Sequence, residues 1–465
     1  MATEAAKVLL ALAPVVISVL SARGLIHYFQ LESYQFPGYF RTVMRNKVHS
    51  LLPGVCAFVV EALLFFICDK LALQRGSDAA AVIGAAAVLL LSAVIGLLIA
   101  KAFMPVRVKK KLVFTGRLKR LYAVFTVLLC ALSLLIVFST PVTLAVTLLP
   151  LLLPLTLALG GLLAWPIEKL ISELYFRDAR RRLLSMKGLI RIGITGSYGK
   201  TSVKHILGTI LSEKYATLIT PASYNTPMGV TKAIRTMLTP SHQVFVGEMG
   251  ARHMGDIREM CRLVRPEIGI LTSVGPQHLE TFKTIERIAD TKYELIEALP
   301  ADSHSFFADD GGICRALYEK TTKPKALASL TDASADAWCD QISTTAEGSR
   351  FLLHIKGKGD IECQTRLLGE HSIQNIVLAS AVAAQLGLSL RQIAHGVQKL
   401  EPVKNRLELM KTPGSFTIIN DAFNSNPRGA KAALRVLAQF PARRIIITPG
   451  MVELGEREAE YNRAF

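Results

Sequence analysis

Two patterns of apolar positions divide this chain of 465 residues. Up to about residue 165 the apolar residues form long runs. After about residue 187 the runs are short and β-branched, or they recur at helical spacing. Five of the long runs, at about 6–26, 50–69, 79–100, 121–139 and 142–165, are long enough to cross a bilayer, or nearly so. The first could instead be a signal peptide, but it has no basic start and no small-residue cleavage site, and further spans follow it. The pattern predicts an α-helical transmembrane bundle of about five spans with basic loops over 1–186. An α/β fold is predicted after it, with one domain over 187–402 and another beginning at 403–465.

Charge sharpens this picture. The formal net charge is +18, and much of it lies beside the apolar runs. The loop between the third and fourth spans, Lys101 to Arg120, carries eight Lys and Arg. The loop after the first span carries Arg41, Arg45 and Lys47, and the segment after the fifth carries Lys169, Arg177, Arg180, Arg181, Arg182 and Lys187. The alternate loops are nearly bare. Basic loops stay on the cytoplasmic side, so the N-terminus is expected outside and everything after Trp165 in the cytoplasm. A membrane surface explains such charge better than a nucleic acid does, so lipid is the expected partner and nucleic acid is not. The seven cysteines are scattered without a CxxC pair, which argues against a disulfide or zinc framework. Glu61 lies inside the second span. It either sits near an interface or pairs with a basic neighbour in the bundle, or it has a function of its own.

The second region opens on candidate chemistry. "LIRIGIT" reads as a buried strand, and "KTSVKHILGTIL" has helical apolar spacing at Val203, Ile206, Leu207 and Ile210. Between them lies a glycine-rich turn. Backbone N–H groups in such a turn, at the positive end of a helix, cradle phosphates. The predicted cradle is Thr195, Gly196, Ser197, Tyr198, Gly199, Lys200, Thr201 and Ser202. Lys200 would reach the β and γ phosphates of ATP, and the Thr201 hydroxyl would hold Mg²⁺. Ile194 stands where a full GxxxxGK[ST] motif has its first glycine, so the loop is a shortened one. Glu248 ends the apolar run "HQVFVGE", and a carboxylate at the tip of a buried strand is placed for Mg²⁺.

The shortened loop resembles that of the Mur ligases, which build the peptide of bacterial cell-wall precursors. "NTPMGV", "VFVGEMGARHMGDI", "RPEIGILTSVGPQHLETF", "IADTKYELIEALP", "GEHSIQNIVLASAVA", "VKNRLELM", "TIINDAFNSNPRGAKAAL" and "TPGMVELGE" are similar to family segments, in family order, over about 190–460. Several look most like the member that adds D-alanyl-D-alanine. The resemblance implies a P-loop central domain followed by a Rossmann-like C-terminal domain. It implies ATP-dependent amide formation, in which a carboxylate takes the γ-phosphate and an amine displaces it. It also assigns residues. His278 would serve a second metal ion. Lys292 would be carbamylated and help hold the metal pair. Asn375 would contact the nucleotide base, Arg406 its phosphates and Asp421 its ribose. Asn225, His253, Asn424 and Asn426 would face the substrates; Asp309 and Asp310 match a family loop only loosely. The implied partners are a UDP- or lipid-linked muramyl peptide and an amine such as D-Ala-D-Ala. The implied location is the bacterial plasma membrane.

Three departures stand out. Membrane spans occupy the place of the family's soluble UDP-sugar-binding domain, so the acceptor is expected to be lipid-linked or held at the membrane, unless the spans only anchor the enzyme. Pro449-Gly450 replaces a Gly-Asp pair of the D-alanyl-D-alanine-adding member. The C-terminal domain, at 403–465, is expected to be incomplete, because such a domain needs on the order of 100 residues. The alternatives are a ligase for another amine, on lipid-linked precursor or on a capsule poly-amino acid, and a non-catalytic nucleotide-binding scaffold.

Overall fold

In this computed structural model, the described residues are 4–75, 77–104, 110–139, 143–221, 224–345, 348–403, 405–410, 412, 416–422, 426–440, 443–452 and 454–465. The chain divides into two compact units, Met1–Ser172 and Glu173–Phe465.

The first unit is helical. Its helices are α1 (Glu4–Ser21), α2 (Arg23–Leu31), α3 (Phe36–Arg45), α4 (Lys47–Arg75), α5 (Asp78–Ala102) and α6 (Gly116–Ser139). A 3₁₀ segment, Thr143–Leu152, then runs into α7 (Leu153–Ser185). Among the described residues, five stretches are long and apolar enough to cross a membrane: Glu4–Ser21, Lys47–Lys70, Asp78–Ala102, Gly116–Ser139 and Leu144–Ser185. They coincide with the five predicted runs, except that the last helix continues well beyond Trp165. Inside the bundle, Leu25, Phe29, Tyr39, Phe125 and Leu157 pack together. On the outside, Leu90, Leu97, Leu98, Val127, Leu135 and Leu155 stay exposed. Large apolar side chains facing outward on every long helix suit a lipid surround rather than water. Glu61 is fully buried and pairs with no basic side chain among the described residues. Among the described residues, neither of its oxygens has a hydrogen-bond partner. Ser92, the polar side chain beside it, donates instead to the Val88 carbonyl at 2.7 Å.

The second unit is a three-layer α/β sandwich. Its elements run β1 (Ile190–Thr195), α8 (Lys200–Leu211), β2 (Thr217–Ile219), α9 (Pro227–Met237), β3 (Val244–Glu248), α10 (Asp256–Val264), β4 (Ile268–Leu271), α11 (Leu279–Phe282), α12 (Ile285–Glu297), β5 (His304–Ala308), α13 (Ile313–Lys320), β6 (Lys325–Ala328), β7 (Ala337–Thr345), β8 (Gly348–Ile355), β9 (Gly359–Thr365), α14 (Glu370–Gln385) and α15 (Leu390–Gln398). The sheet order is β2-β3-β1-β4-β5-β6-β7-β8-β9, parallel through β7 and antiparallel from β7 to β9. Strand residues alternate between two cores. Ile192, Ile194, Val244 and Val246 pack on α8, α14 and α15; Phe245, Leu271 and Phe307 pack on α10, α12 and α13. Burial on both faces explains why these strands read as unbroken apolar runs.

Beyond α15 the chain forms β10 (Glu408–Met410) antiparallel to β11 (Ile418–Asn420), then α16 (Pro427–Ala438) and α17 (Glu458–Ala464). Ile445, Ile446 and Ile447 lie exposed in no regular element. Among the described residues no cysteine forms a disulfide.

Candidate active site

Parallel α/β sheets gather ligands at the C-terminal tips of their strands, and here the tips of β1, β3 and β4 are laced together. The loop from Gly196 to Gly199 leaves β1, an interior strand between β3 and β4, and enters α8. Gly196 and Gly199 have φ of +146° and +82°, values that disfavour any residue with a Cβ. A Cβ at Gly199 would also lie 2.9 Å from Asn375 Oδ1, so Asn375 sits directly over the loop. The loop is latched to the segment after β4. Ser197 N donates to the Ser273 carbonyl at 2.7 Å, Tyr198 N to Ser273 Oγ at 3.1 Å, and the Tyr198 hydroxyl to the Pro276 carbonyl at 2.7 Å. Thr195 Oγ1 ties β1 to β3 through the Met249 carbonyl at 3.0 Å.

At the tip of β3, Glu248 is 1% exposed and fully engaged. Thr201 Oγ1 donates to Oε1 at 3.1 Å, Asn225 Nδ2 to Oε1 at 3.1 Å, and Lys204 Nζ to Oε2 at 2.9 Å. Arg406 Nη2 reaches Thr201 Oγ1 at 3.4 Å. Burial alone would raise the Glu248 carboxyl. The charges of Lys204 and Lys200, with hydrogen bonds from Lys204 and Asn225, outweigh it and hold the group below the usual carboxylate range. Lys200 bends back to donate to the Gly196 and Ser197 carbonyls at 2.7 and 3.0 Å. Its burial pulls its pKa down to about 8, with Glu248 opposing and Arg406 assisting. The cluster is thus one carboxylate among three cations, Lys200, Lys204 and Arg406, which suits a polyanionic ligand.

A cleft of about 700 Å³ opens beside this cluster. Tyr198, Gly199, Ser202, Asn375, Arg406 and Asp421 line it, and Asn426 joins them. Asp421 Oδ1 accepts from Leu407 N at 3.2 Å. Asp309 and Asp310 also border the cleft, although Asp309 is engaged by Arg315 at 2.8 Å. Three predicted residues do not line the cleft. Lys292, buried on α12, has a pKa well below that of an ordinary lysine, chiefly from burial and then from the Lys200 charge, against Asp256 and Glu294. His278 caps the short helix α11 with a φ of +54° and does not border the cleft. His253 is exposed, 3.9 Å from Asp256. Asn424 lies outside the described residues.

The site residue that sequence patterning missed is Lys204. It falls one turn after Lys200 on the stripe that continues to the buried Leu207 and Leu211, so a buried lysine was there to be read. Among the described residues, no group of three or more His, Cys, Asp and Glu could hold a metal ion without help. The adjacent oxygens of Thr201 and Glu248 fit Mg²⁺, a hard ion that takes few protein ligands and completes its shell with phosphate and water.

Comparison with known proteins agrees with this geometry. Residues 194–383 match the Mur ligase middle domain. The UDP-N-acetylmuramoyl-tripeptide–D-alanyl-D-alanine ligase of Mycobacterium tuberculosis H37Rv is 33% identical over 288 residues, 59% of this chain and 55% of that protein. The Escherichia coli K12 ligase of the same name is 29% identical over 307 residues, 64% of this chain and 68% of that one. The chain therefore spans about half the length of the mycobacterial relative. Among solved structures, MurF from Acinetobacter baumannii superimposes with a TM-score of 0.57 at 27% identity, covering 62% of this chain and 63% of that one. MurF from Thermotoga maritima in complex with ADP gives 0.57 at 25% identity, covering 62% and 66%. Residues 194–383 match the Mur ligase middle domain, and the part of the chain that carries them, behind five long apolar helices, is similar to the MurF ligases.

Proposed function

We propose that this protein is a membrane-anchored, ATP-dependent carboxylate–amine ligase that acts on a cell-wall precursor. A single observation carries it: Thr201 and Glu248 meet at 3.1 Å beside Lys200, at the tips of parallel strands in a domain homologous to MurF.

In this mechanism the N–H groups of the loop from Gly196 to Gly199 receive the phosphates. Lys200 leaves the loop carbonyls for the β and γ phosphates, and Arg406 supports them from the far side of the cleft. Asn375 borders the base and Asp421 the ribose. Thr201 and Glu248 hold Mg²⁺, which neutralises charge on the transferring phosphoryl group when bound. The acceptor carboxylate attacks the γ-phosphorus and ADP leaves. The amine then attacks the acyl phosphate carbon, and phosphate departs through a tetrahedral intermediate. Lys292 is the carbamylation site: a buried amine kept neutral would add to CO₂ and release a proton to solvent, and the resulting carbamate would offer carboxylate-like oxygens to a metal ion. His278 serves a second metal. Asn225, His253, Asn424 and Asn426 contact the acceptor and the amine, as in the implied MurF reaction of muramyl-tripeptide with D-Ala-D-Ala. The N-terminus lies outside, and the ligase unit works in the cytoplasm, where ATP is present.

The test is ATP turnover by the full chain, screened against acceptors and amines. ADP release that requires both a muramyl-peptide carboxylate and D-Ala-D-Ala supports the proposal. Release that needs no carboxylate acceptor, or nucleotide binding without turnover under any pairing, refutes it.

A further inference from the structure

The helical unit holds a cleft of its own, about 580 Å³ in volume. Val19 and Leu20 at the end of α1, Leu97 near the end of α5, and Met104 form its apolar walls. Two cations also line it: Arg23, the first residue of α2, and Lys101, in the last turn of α5. We propose that this cleft binds a lipid phosphate, its chain along the apolar walls and its phosphate between Arg23 and Lys101. The proposal does not depend on the ligase activity.

Three observations support it. First, neither cation has a counter-ion among the described residues. Nearby basic residues differ. Arg120 meets Glu168 at 2.6 Å, and Arg117 approaches the same carboxylate at 3.9 Å while lying 4.0 Å over the Tyr34 ring. Glu168 is thus engaged by Arg117 and Arg120, and Glu32, at the end of α2, accepts from Thr42 Oγ1 at 2.6 Å.

Second, the mouth of the cleft is built rather than loose. Gln30 brackets Val113 with two hydrogen bonds, Nε2 to the Val113 carbonyl at 2.7 Å and Val113 N to Oε1 at 3.1 Å. His27 Nε2 lies 2.9 Å from the Lys110 carbonyl. This strap sets Phe114 in a stacked pair with Tyr122, ring centres 5.9 Å apart and planes 21° apart. Both rings border the cleft, and amphipathic rings of this kind favour the headgroup level of a bilayer.

Third, the location suits a headgroup. The lining residues cluster where α1 and α5 end and α6 begins, the end that carries Lys101, Arg117, Lys119 and Arg120. Long cationic side chains there reach the interface while their stems stay in the apolar phase. An apolar cleft with two unmatched positive charges selects an amphiphile with a net negative head. A zwitterionic lipid brings its own cation to repel them, and free phosphate leaves the walls unfilled.

The full-length protein in detergent is titrated with phosphatidylglycerol, undecaprenyl phosphate, phosphatidylcholine and inorganic phosphate, and bound lipid is counted by native mass spectrometry. Phosphatidylglycerol or undecaprenyl phosphate should bind at least about tenfold more tightly than phosphatidylcholine. The double variant Arg23→Gln/Lys101→Gln should lose that preference. Equal affinity for the two anionic lipids makes the cleft a general anionic-lipid site; preference for undecaprenyl phosphate makes it a prenyl-phosphate site. Both outcomes support the proposal. Equal binding of phosphatidylcholine, preference unchanged in the double variant, or saturable binding of inorganic phosphate overturns it. Leu97→Trp fills the cleft without altering charge and should also block binding. Should the double variant fail to fold, unaltered binding by Leu97→Trp is the overturning result.

Discussion

Glu61 in the helical bundle and Glu248 in the α/β sandwich are buried to the same degree, 0% and 1% exposed, and their surroundings differ completely. Glu248 has a donor for each oxygen and three cations around it. Glu61 has no donor and no cation among the described residues. A buried carboxylate with partners is a fixed charge on which a site can be built. One without partners costs stability and adds no local order. Removing the charge should therefore act in opposite directions at the two glutamates.

The largest effect is expected at the tip of β3. Glu248→Gln keeps the shape but removes the charge that Thr201, Lys204 and the proposed Mg²⁺ require. Turnover of ATP should fall about 10²–10³-fold, read as initial rate at saturating nucleotide. A smaller loss would mean that the carboxylate is only a structural partner of Lys204. The next effect is on folding. Lys204→Met strips a fully buried ion pair of its cation and should cost about 3–5 kcal/mol in denaturant unfolding of the α/β unit. Adding Glu248→Gln to it should restore most of the loss, because a neutral pair no longer buries an uncompensated charge. A double variant as unstable as Lys204→Met alone would show that the lysine acts through packing of its stem.

Lys292 tests a third type of buried charge, one that is created chemically. Lys292→Ala should lower ligation about 10²-fold, the loss expected for a support of a metal ligand. Acetate or a similar short carboxylate should recover part of the activity, while the cation in Lys292→Arg should recover none. Loss without rescue would leave the lysine a positional role only. At Glu61 the expected sign reverses. Glu61→Leu should raise the thermal midpoint of the bundle by a few degrees, the scale of about 1–2 kcal/mol recovered from an unpaired polar group, with ligation unaltered. A fall in stability would mean that the carboxylate finds a partner in the membrane.

Much of this contrast could be read from the chain, and the reasons are physical. A strand buried on both faces must be apolar throughout, so β1 and β3 stood out, and the carboxylate that ends β3 pointed to the candidate site. The five long apolar helices were legible because a bilayer demands length and apolarity together. Lys204 escaped because its partner lies 44 residues away in the sequence, and only the fold brings Glu248 under α8. The 3₁₀ segment Thr143–Leu152 and the extension of α7 to Ser185 escaped because hydropathy reports depth in a membrane and not helix type or end. The antiparallel β7–β9 edge carries no site motif, and nothing in a ligase pattern pointed to it.

That edge supplies the smallest and most separable test, because its charge is neither unmet nor sealed in. His354 on β8 stands opposite Trp338 on β7 and Asp360 on β9. Its ring stacks on the indole at 3.7 Å, its Nδ1 lies 2.7 Å from Asp360, and its Nε2 lies at ion-pair distance, 3.2 Å, from Asp340. Burial would lower its pKa, but the two carboxylates outweigh it, so the folded value is raised above the ordinary 6.5. A histidine shifted in that direction adds stability that is fully present below pH 6.5 and is lost as pH rises through the folded value. Backbone amides of β8 and β9 should therefore open a few-fold more readily at pH 8.5 than at pH 6, measured by hydrogen exchange after correction for the intrinsic rate. Asp360→Asn should shrink that difference while leaving ATP turnover intact. An opening difference that persists in His354→Gln would assign the pH response to another group. The contrast would then narrow to the two glutamates, where charge is either fully partnered or not partnered at all.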